Sequence, residues 1–284
     1  MSQDAVDDLV KLLDLEPIEL NIFRGISPDE DRQRVFGGQV AGQALVAAAR
    51  TVEPGRDVHS LHAYFLRPGD LRVPILYQVD RIRDGRSFST RRVVAVQHGK
   101  AIFNLQASFQ VPEEGLEHQA PMPEATPPEE LPDIKTRMAP YAEQLGSWYM
   151  RPRPIDMRYV DWNPPDRNEP LPPHQRVWLR AAGRLPDDAV LHACVLTYAS
   201  DMSLLDTALL PHGGSWHSPD LFMASLDHAM WFHRPFRADE WLLYSQDTPS
   251  ASGGRGLGRG NIHTADGQLA VTVVQEGLIR VVRR

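Results

Sequence analysis

The stretch "HGGSWH", with His212 and His217, is the first place in this chain where residue types at close spacing invite a chemical reading. Two imidazoles can begin a zinc site. Tetrahedral zinc needs three or four protein ligands, however, and none follows at metal spacing, so no metal is expected. Serine nucleophiles of the α/β-hydrolase kind sit on a Gly-x-Ser-x-Gly turn, a pattern absent from all 284 residues. "GGRGLGRG" (253–260) looks superficially like a dinucleotide loop, but no helical pattern follows it. It reads instead as a glycine-rich strand that admits close backbone approach. Cys194, the one cysteine, lies in "LHACVLTY" and reads as a small buried hydrophobe. Asp201 in "SDMSLL", taken alone, reads as a helix N-cap. His62, His228 and His233 fall on strand-like segments and read as core or interface residues.

The elements that would position any site come next. Val6, Leu9, Leu12 and Leu13 recur at helical spacing and predict a short N-terminal helix over 4–16. "NIFRGISP" reads as a strand leading to a turn. "GGQVAGQALVAAARTV" is apolar nearly all round, which predicts a buried helix that begins at Gly37 and Gly38. Four short segments rich in β-branched and aromatic residues follow, divided by Gly- or Asp-bearing turns: "VHSLHAYFLR", "PILYQVDRIRDG", "SFSTRRVVAVQHG" and "KAIFNLQASFQ". This is a helix followed by an antiparallel meander.

Between 112 and 173 the character changes. Fourteen of the 24 prolines fall there, and its first part is strongly acidic, as expected of an extended connection between two units. The order then repeats: "AVLHACVLTYAS" as a strand, "DMSLLDTALL" as a helix capped by Ser200 and Asp201, and a second meander from "SLDHAMWFHRPF" to "QLAVTVVQEGLIRVV". "SLHAYFLRP" (60–68) and "SLDHAMWFHRP" (225–235) are versions of one motif. Gly85-Arg86 answers Gly254-Arg255, and Gln106 answers Gln275, at a nearly constant offset of 167 to 169. The unit is duplicated: an N-terminal repeat over 1–111, a proline-rich acidic linker over 112–173 whose last part could join the second sheet, and a C-terminal repeat over 174–284.

A central helix wrapped by an antiparallel sheet, occurring twice, predicts an α+β double hotdog. With "GGQVAGQAL", "HSLHAYFLRPGD", "DGRSFSTRRV", "DHAMWFHRPF", "EWLLYSQDTPSAS" and "VQEGLIR", the chain resembles the type II acyl-CoA thioesterase family over 5–282. That resemblance implies hydrolysis of fatty acyl-CoA thioesters by an activated water, without a covalent acyl-enzyme. It implies catalytic roles for Asp201 in "YASDMSLLD", Ser225 in "MASLDHAMWFH" and Gln275 in "VVQEG", the last repeat carrying all three. A carboxylate can take the water's proton, while a hydroxyl and an amide can orient it. Backbone amides at the Gly37–Gly38 turn are the candidates to hold the developing oxyanion. Arg86, Arg91, Arg92, Arg255 and Arg259 cluster in the duplicated "GR" strands. They either meet the CoA phosphates or form a solvated strand face, with Arg86, Arg255 and Arg259 taken as substrate-binding.

Composition bounds the rest. A formal net charge of −7 argues against a general nucleic-acid partner. Apolar runs such as "GQALVAAA" are shorter than the ~18 residues a membrane span needs, so no membrane association is expected. The acidic amphipathic start, the end "IRVVRR" and the single cysteine suggest a cytoplasmic protein. No cofactor is expected beyond the CoA of the substrate, and exposed sheet edges suggest a homo-oligomer. Competing readings are a hotdog hydratase or dehydratase, disfavoured because no histidine opens either helix, and a non-catalytic acyl-CoA sensor.

Overall fold

The computed structural model describes residues 3–28 and 33–282. Its first helix, α1 (Gln3–Leu13), buries Ala5, Val6, Leu9 and Leu13 along one stripe. Two short strands, β1 (Glu16–Glu19) and β2 (Ile22–Gly25), lead to the buried helix α2 (Gly37–Ala49). The first meander is β3 (Asp57–Phe65), β4 (Ile75–Asp84), β5 (Phe88–Gln97) and β6 (Lys100–Gln110).

The connection carries short helices α3 (Ile134–Met138), α4 (Ala142–Leu145) and α5 (Ser147–Met150) around a small core of Ile134, Met138 and Leu145. Its last part supplies β7 (Ile155–Tyr159), which pairs with β8 (His174–Ala181). Helix α6 (Ala189–Ser200) and a 3₁₀ helix over Leu205–His212 follow. The chain closes with β9 (Leu221–Ser225), β10 (Asp227–Phe232), β11 (Leu242–Ser252), β12 (Arg255–Thr264) and β13 (Leu269–Val281).

The strand order β1-β2-β4-β5-β6-β3-β10-β13-β12-β11-β8-β7 reads the same way outward from its centre. The seam is the antiparallel pair β3–β10, with His62 opposite Ala229. One continuous sheet thus wraps two central helices that run antiparallel. A Cβ on Gly38 would lie 2.4 Å from the Tyr198 carbonyl oxygen, and one on Gly42 would lie 3.2 Å from that of Cys194. Side chains at these two positions would push the helices apart.

Two expectations are corrected here. "AVLHACVLTYAS" is the second central helix, not a strand, and the Asp188 side chain caps its start by accepting from the amides of Val190 and Leu191. The segment is apolar on every side because the sheet surrounds it, so no helical period shows and β-branched residues tip the reading towards strand. "DMSLLDTALL" is correspondingly not the central helix; its end forms the 3₁₀ helix. Residues 189–212 together are also long and apolar enough to cross a membrane, unlike the shorter runs noted above. Of its 18-residue apolar window, 78% is buried inside the protein, so its apolarity serves the core.

The repeats align less simply than a constant offset. The amides of Leu66 and Arg67 both donate to the Ile102 carbonyl, and those of His233 and Arg234 to the Ala270 carbonyl. The last strand has therefore slipped by one residue relative to the first strand of its repeat. His62 faces Gln106 across β3–β6, and Ala229 faces Val274 across β10–β13. Gln106 thus corresponds to Val274, and Gln275 to Ala107. Because strand side chains alternate with period two, the slip puts Gln106 on the exposed face and Gln275 on the buried one.

Candidate active site

Asp201 is the residue that ends α6, in right-handed geometry (φ −81°, ψ −4°), and not the N-cap expected from its neighbours. The capping chemistry is nevertheless present, on the other helix. Because α2 and α6 are antiparallel, the end of α6 meets the start of α2, where Phe36 offers no side-chain cap. The Asp201 carboxylate fills that role and accepts the Gly38 amide hydrogen bond. Gly37 makes room: a Cβ there would stand 2.7 Å from Asp201 Oδ2 and 2.8 Å from the Phe65 ring.

The other carboxylate oxygen gathers polar partners from two strands, β13 and β9. Gln275 Nε2 donates to Asp201 Oδ1 at 2.6 Å and to Ser225 Oγ at 3.1 Å. Ser225 Oγ donates to the same Oδ1 at 3.4 Å. Ser225 closes β9 opposite Gly277 of β13, two residues beyond Gln275, and Gly258 of β12 lies opposite Gln275. Gln275 is fully buried, yet its Oε1 has no protein partner. That leaves one hydrogen-bond acceptor beside the carboxylate. Burial pushes the Asp201 carboxyl up to about 6, although the bonds from Gln275, Gly38 and Ser225 pull the other way.

The turn that carries Asp201 is held from behind by a buried amide network. Gln246 donates to Ser203 Oγ at 2.7 Å, and Gln175 donates to Gln246 Oε1 at 2.6 Å and to Thr207 Oγ1 at 3.0 Å. Sequence reading passed over these two glutamines. Their signal is one glutamine on the otherwise apolar inner face of each strand, a position that only the sheet register reveals. Beside them, His228 Nε2 pairs with Ser200 Oγ at 2.9 Å, and burial lowers the imidazole to about 4. This histidine is neutral and its ring bonds Ser200, not Ser225.

The arginines do not converge on the cluster. On β12, Gly256, Gly258 and Gly260 face inward, so Arg255 and Arg259 stand on the opposite, solvent-facing side. Arg259 pairs with Asp247 at 2.9 Å and Arg255 with Glu276 at 2.8 Å. Arg86 is exposed in the β4–β5 turn of the other repeat, and Arg92 is bonded to Asp80. Arg91 alone is buried, bonding Thr51 and Asp84. By strand pairing, Arg91 opposite Ala107 corresponds to Gly258 opposite Gln275, and Val58 opposite Phe109 corresponds to Ser225 opposite Gly277. The first repeat therefore fills the matching place with a guanidinium, an alanine and a valine.

A long helix pair enclosed by one continuous sheet, with a polar cluster at the junction between helices, defines a double-hotdog protein. The acyl-CoA thioesterase N-terminal domain model matches residues 27–110, and the acyl-CoA thioesterase model matches 163–278. The chain is 47% identical to human acyl-coenzyme A thioesterase 8, over 95% of this chain and 88% of that protein. It is 43% identical to acyl-CoA thioesterase 2 of Haemophilus influenzae, over 98% of both. An acyl-CoA thioesterase II structure from Mycobacterium marinum superposes with a TM-score of 0.80 at 48% identity, covering 96% of this chain and 97% of that one. The chain belongs to the acyl-CoA thioesterase family and is a thioesterase.

Proposed function

We propose that the protein hydrolyses medium- to long-chain acyl-CoA to fatty acid and CoA, with Asp201 as general base and Ser225 and Gln275 as the groups that orient the water. The observation that carries this reading is the convergence of both partners on Asp201 Oδ1, with Gln275 Oε1 left as an acceptor. Water bonded there gives a proton to Asp201 as its oxygen attacks the thioester carbonyl carbon. The tetrahedral intermediate then expels the CoA sulfur, which takes the proton back from Asp201, and the acid leaves. First-turn amides of α2 face the same junction and favour negative charge. The Gly38 amide already serves Asp201.

Ser225 is not the nucleophile in this scheme. Its hydroxyl bonds Asp201 and Gln275, and the nearby His228 is turned to Ser200. Single-turnover hydrolysis of palmitoyl-CoA should show no burst of CoA and no acylated protein by mass spectrometry. An acyl group trapped on Ser225 would contradict the water mechanism.

The raised carboxyl sets the pH dependence. A base must be ionised to act, so kcat/KM should rise with pH through about 6 and level off above it. A profile that stays flat down to pH 4.5 would remove Asp201 from the rate-determining proton transfer.

A further inference from the structure

The inner face of the sheet continues beyond the cluster towards a cavity the scheme above does not use. Along β13 the residues that share Gln275's face are Gly277, Ile279 and Val281, and along β9 those that share Ser225's face are Met223 and Leu221. The 3₁₀ helix lies on this face where glycines leave room. A Cβ on Gly277 would meet Leu205 at 2.3 Å, and one on Gly256 would meet Ala208 at 2.7 Å. Past Leu205 opens a cavity of about 570 Å³, with Leu209, Leu221, Ile279 and Val281 in its wall. That size is within the range of small-molecule sites.

We infer that this cavity receives the distal half of the acyl chain, and that Leu205, seated over Gly277 between cluster and cavity, sets the chain length at which it is reached. This rests on the acyl-CoA reading of the cluster. Leu221 lies four residue steps along β9 from Ser225, a path of ~13 Å at strand rise. An extended hydrocarbon advances roughly 1.3 Å per carbon, given C–C bonds of about 1.5 Å. The cavity therefore begins about ten carbons from the carbonyl. Its charged rim argues against the alternative occupant, the phosphorylated end of CoA. Arg167, itself buried, is already paired with Asp206 at 3.1 Å, the Arg255 side chain is held by Glu276 at 2.8 Å on the outer face of the sheet, and Asp220 adds a negative charge. Phosphates would find neutralised guanidiniums there, whereas an alkyl chain needs only the apolar wall.

The test is Leu221→Trp, which fills the cavity from a partly exposed position, with Val281→Trp as a second variant from the open end. Hydrolysis of hexanoyl-CoA and palmitoyl-CoA is measured for each. The palmitoyl-CoA kcat/KM should fall roughly tenfold or more while hexanoyl-CoA is unaffected. Equal losses at both lengths would place the CoA end or a structural role there and overturn the assignment, as would no loss in either folded variant. A wild type that hydrolyses neither substrate defeats the hydrolase reading instead. The cavity is then judged by binding of the thioethers S-hexyl-CoA and S-hexadecyl-CoA. Tighter binding of the longer thioether that both variants abolish supports the inference, and equal binding of the two by wild type overturns it.

Discussion

Replacing Asp201 by Asn is expected to lower kcat by ~10²–10⁴, the usual worth of a positioned general base, and at the same time to raise thermal stability. The first effect follows because an amide cannot take the water's proton. The second follows from the direction in which burial moves the carboxyl, from its ordinary 3.8 to about 6. A carboxyl that titrates higher in the folded protein than in the unfolded chain helps folding most when both are protonated, below about pH 4. That help is lost as pH rises through about 6, so at neutral pH the ionised group costs the fold up to about 3 kcal/mol. Asn keeps one oxygen, which can accept from Gln275 and Ser225 without carrying the charge, while the oxygen that served Gly38 becomes an amide nitrogen. Part of that cost should return, on the order of 1–2 kcal/mol, as a higher Tm at pH 7.5 and no gain at pH 4. A variant that loses activity and melts lower would mean that Asp201 serves mainly to cap α2. Near-normal kcat would take the carboxylate out of the mechanism.

The second large effect concerns Gln275. Its amide reaches Asp201 and Ser225 together, so Gln275→Ala should cost about 1.5–3 kcal/mol in kcat/KM, the scale of a hydrogen bond to a charged group. Gln106→Ala is the control, and the structure shows why it should be harmless. Gln106 stands on the exposed face, paired in register with Arg92 and His62, while the true counterpart of Gln275 is Ala107. Activity of Gln106→Ala should match wild type on the same acyl-CoA. Equal losses in the two variants would require a second working site. The first repeat has no room for one, since Arg91, Ala107 and Val58 occupy the corresponding places.

Much of the architecture is written locally. The N-terminal helix shows its stripe in Val6, Leu9 and Leu13, the meanders show alternating strands punctuated by Gly and Asp, and two copies of the Arg-Pro motif reveal the duplication. β7, at the end of the proline-rich segment, pairs with β8. The second helix was hidden because its environment, not its sequence period, defines it: a segment buried all round has no polar face to report. Asp188, bonded to two first-turn amides, was the local cue that it begins a helix.

The positions of Asp201, Ser225 and Gln275 were marked by likeness of motif, and nothing in their spacing of 24 and 50 residues says that they meet. They meet because β9 and β12 flank the two sides of β13 and because antiparallel helices bring the end of α6 to the start of α2. Those are long-range pairings, set by sheet register and helix packing. The same register decided what a constant offset could not: a one-residue slip in the last strand turns Gln275 inward and leaves Gln106 outside, and alternation on β12 turns Arg255 and Arg259 away from the cluster. Sequence alone determined the duplicated α+β unit and the residue types that the proposed water-activating site would use. Which copy of each residue faces that site was decided only by the tertiary structure, because in a strand a shift of one residue exchanges the buried face for the solvent face.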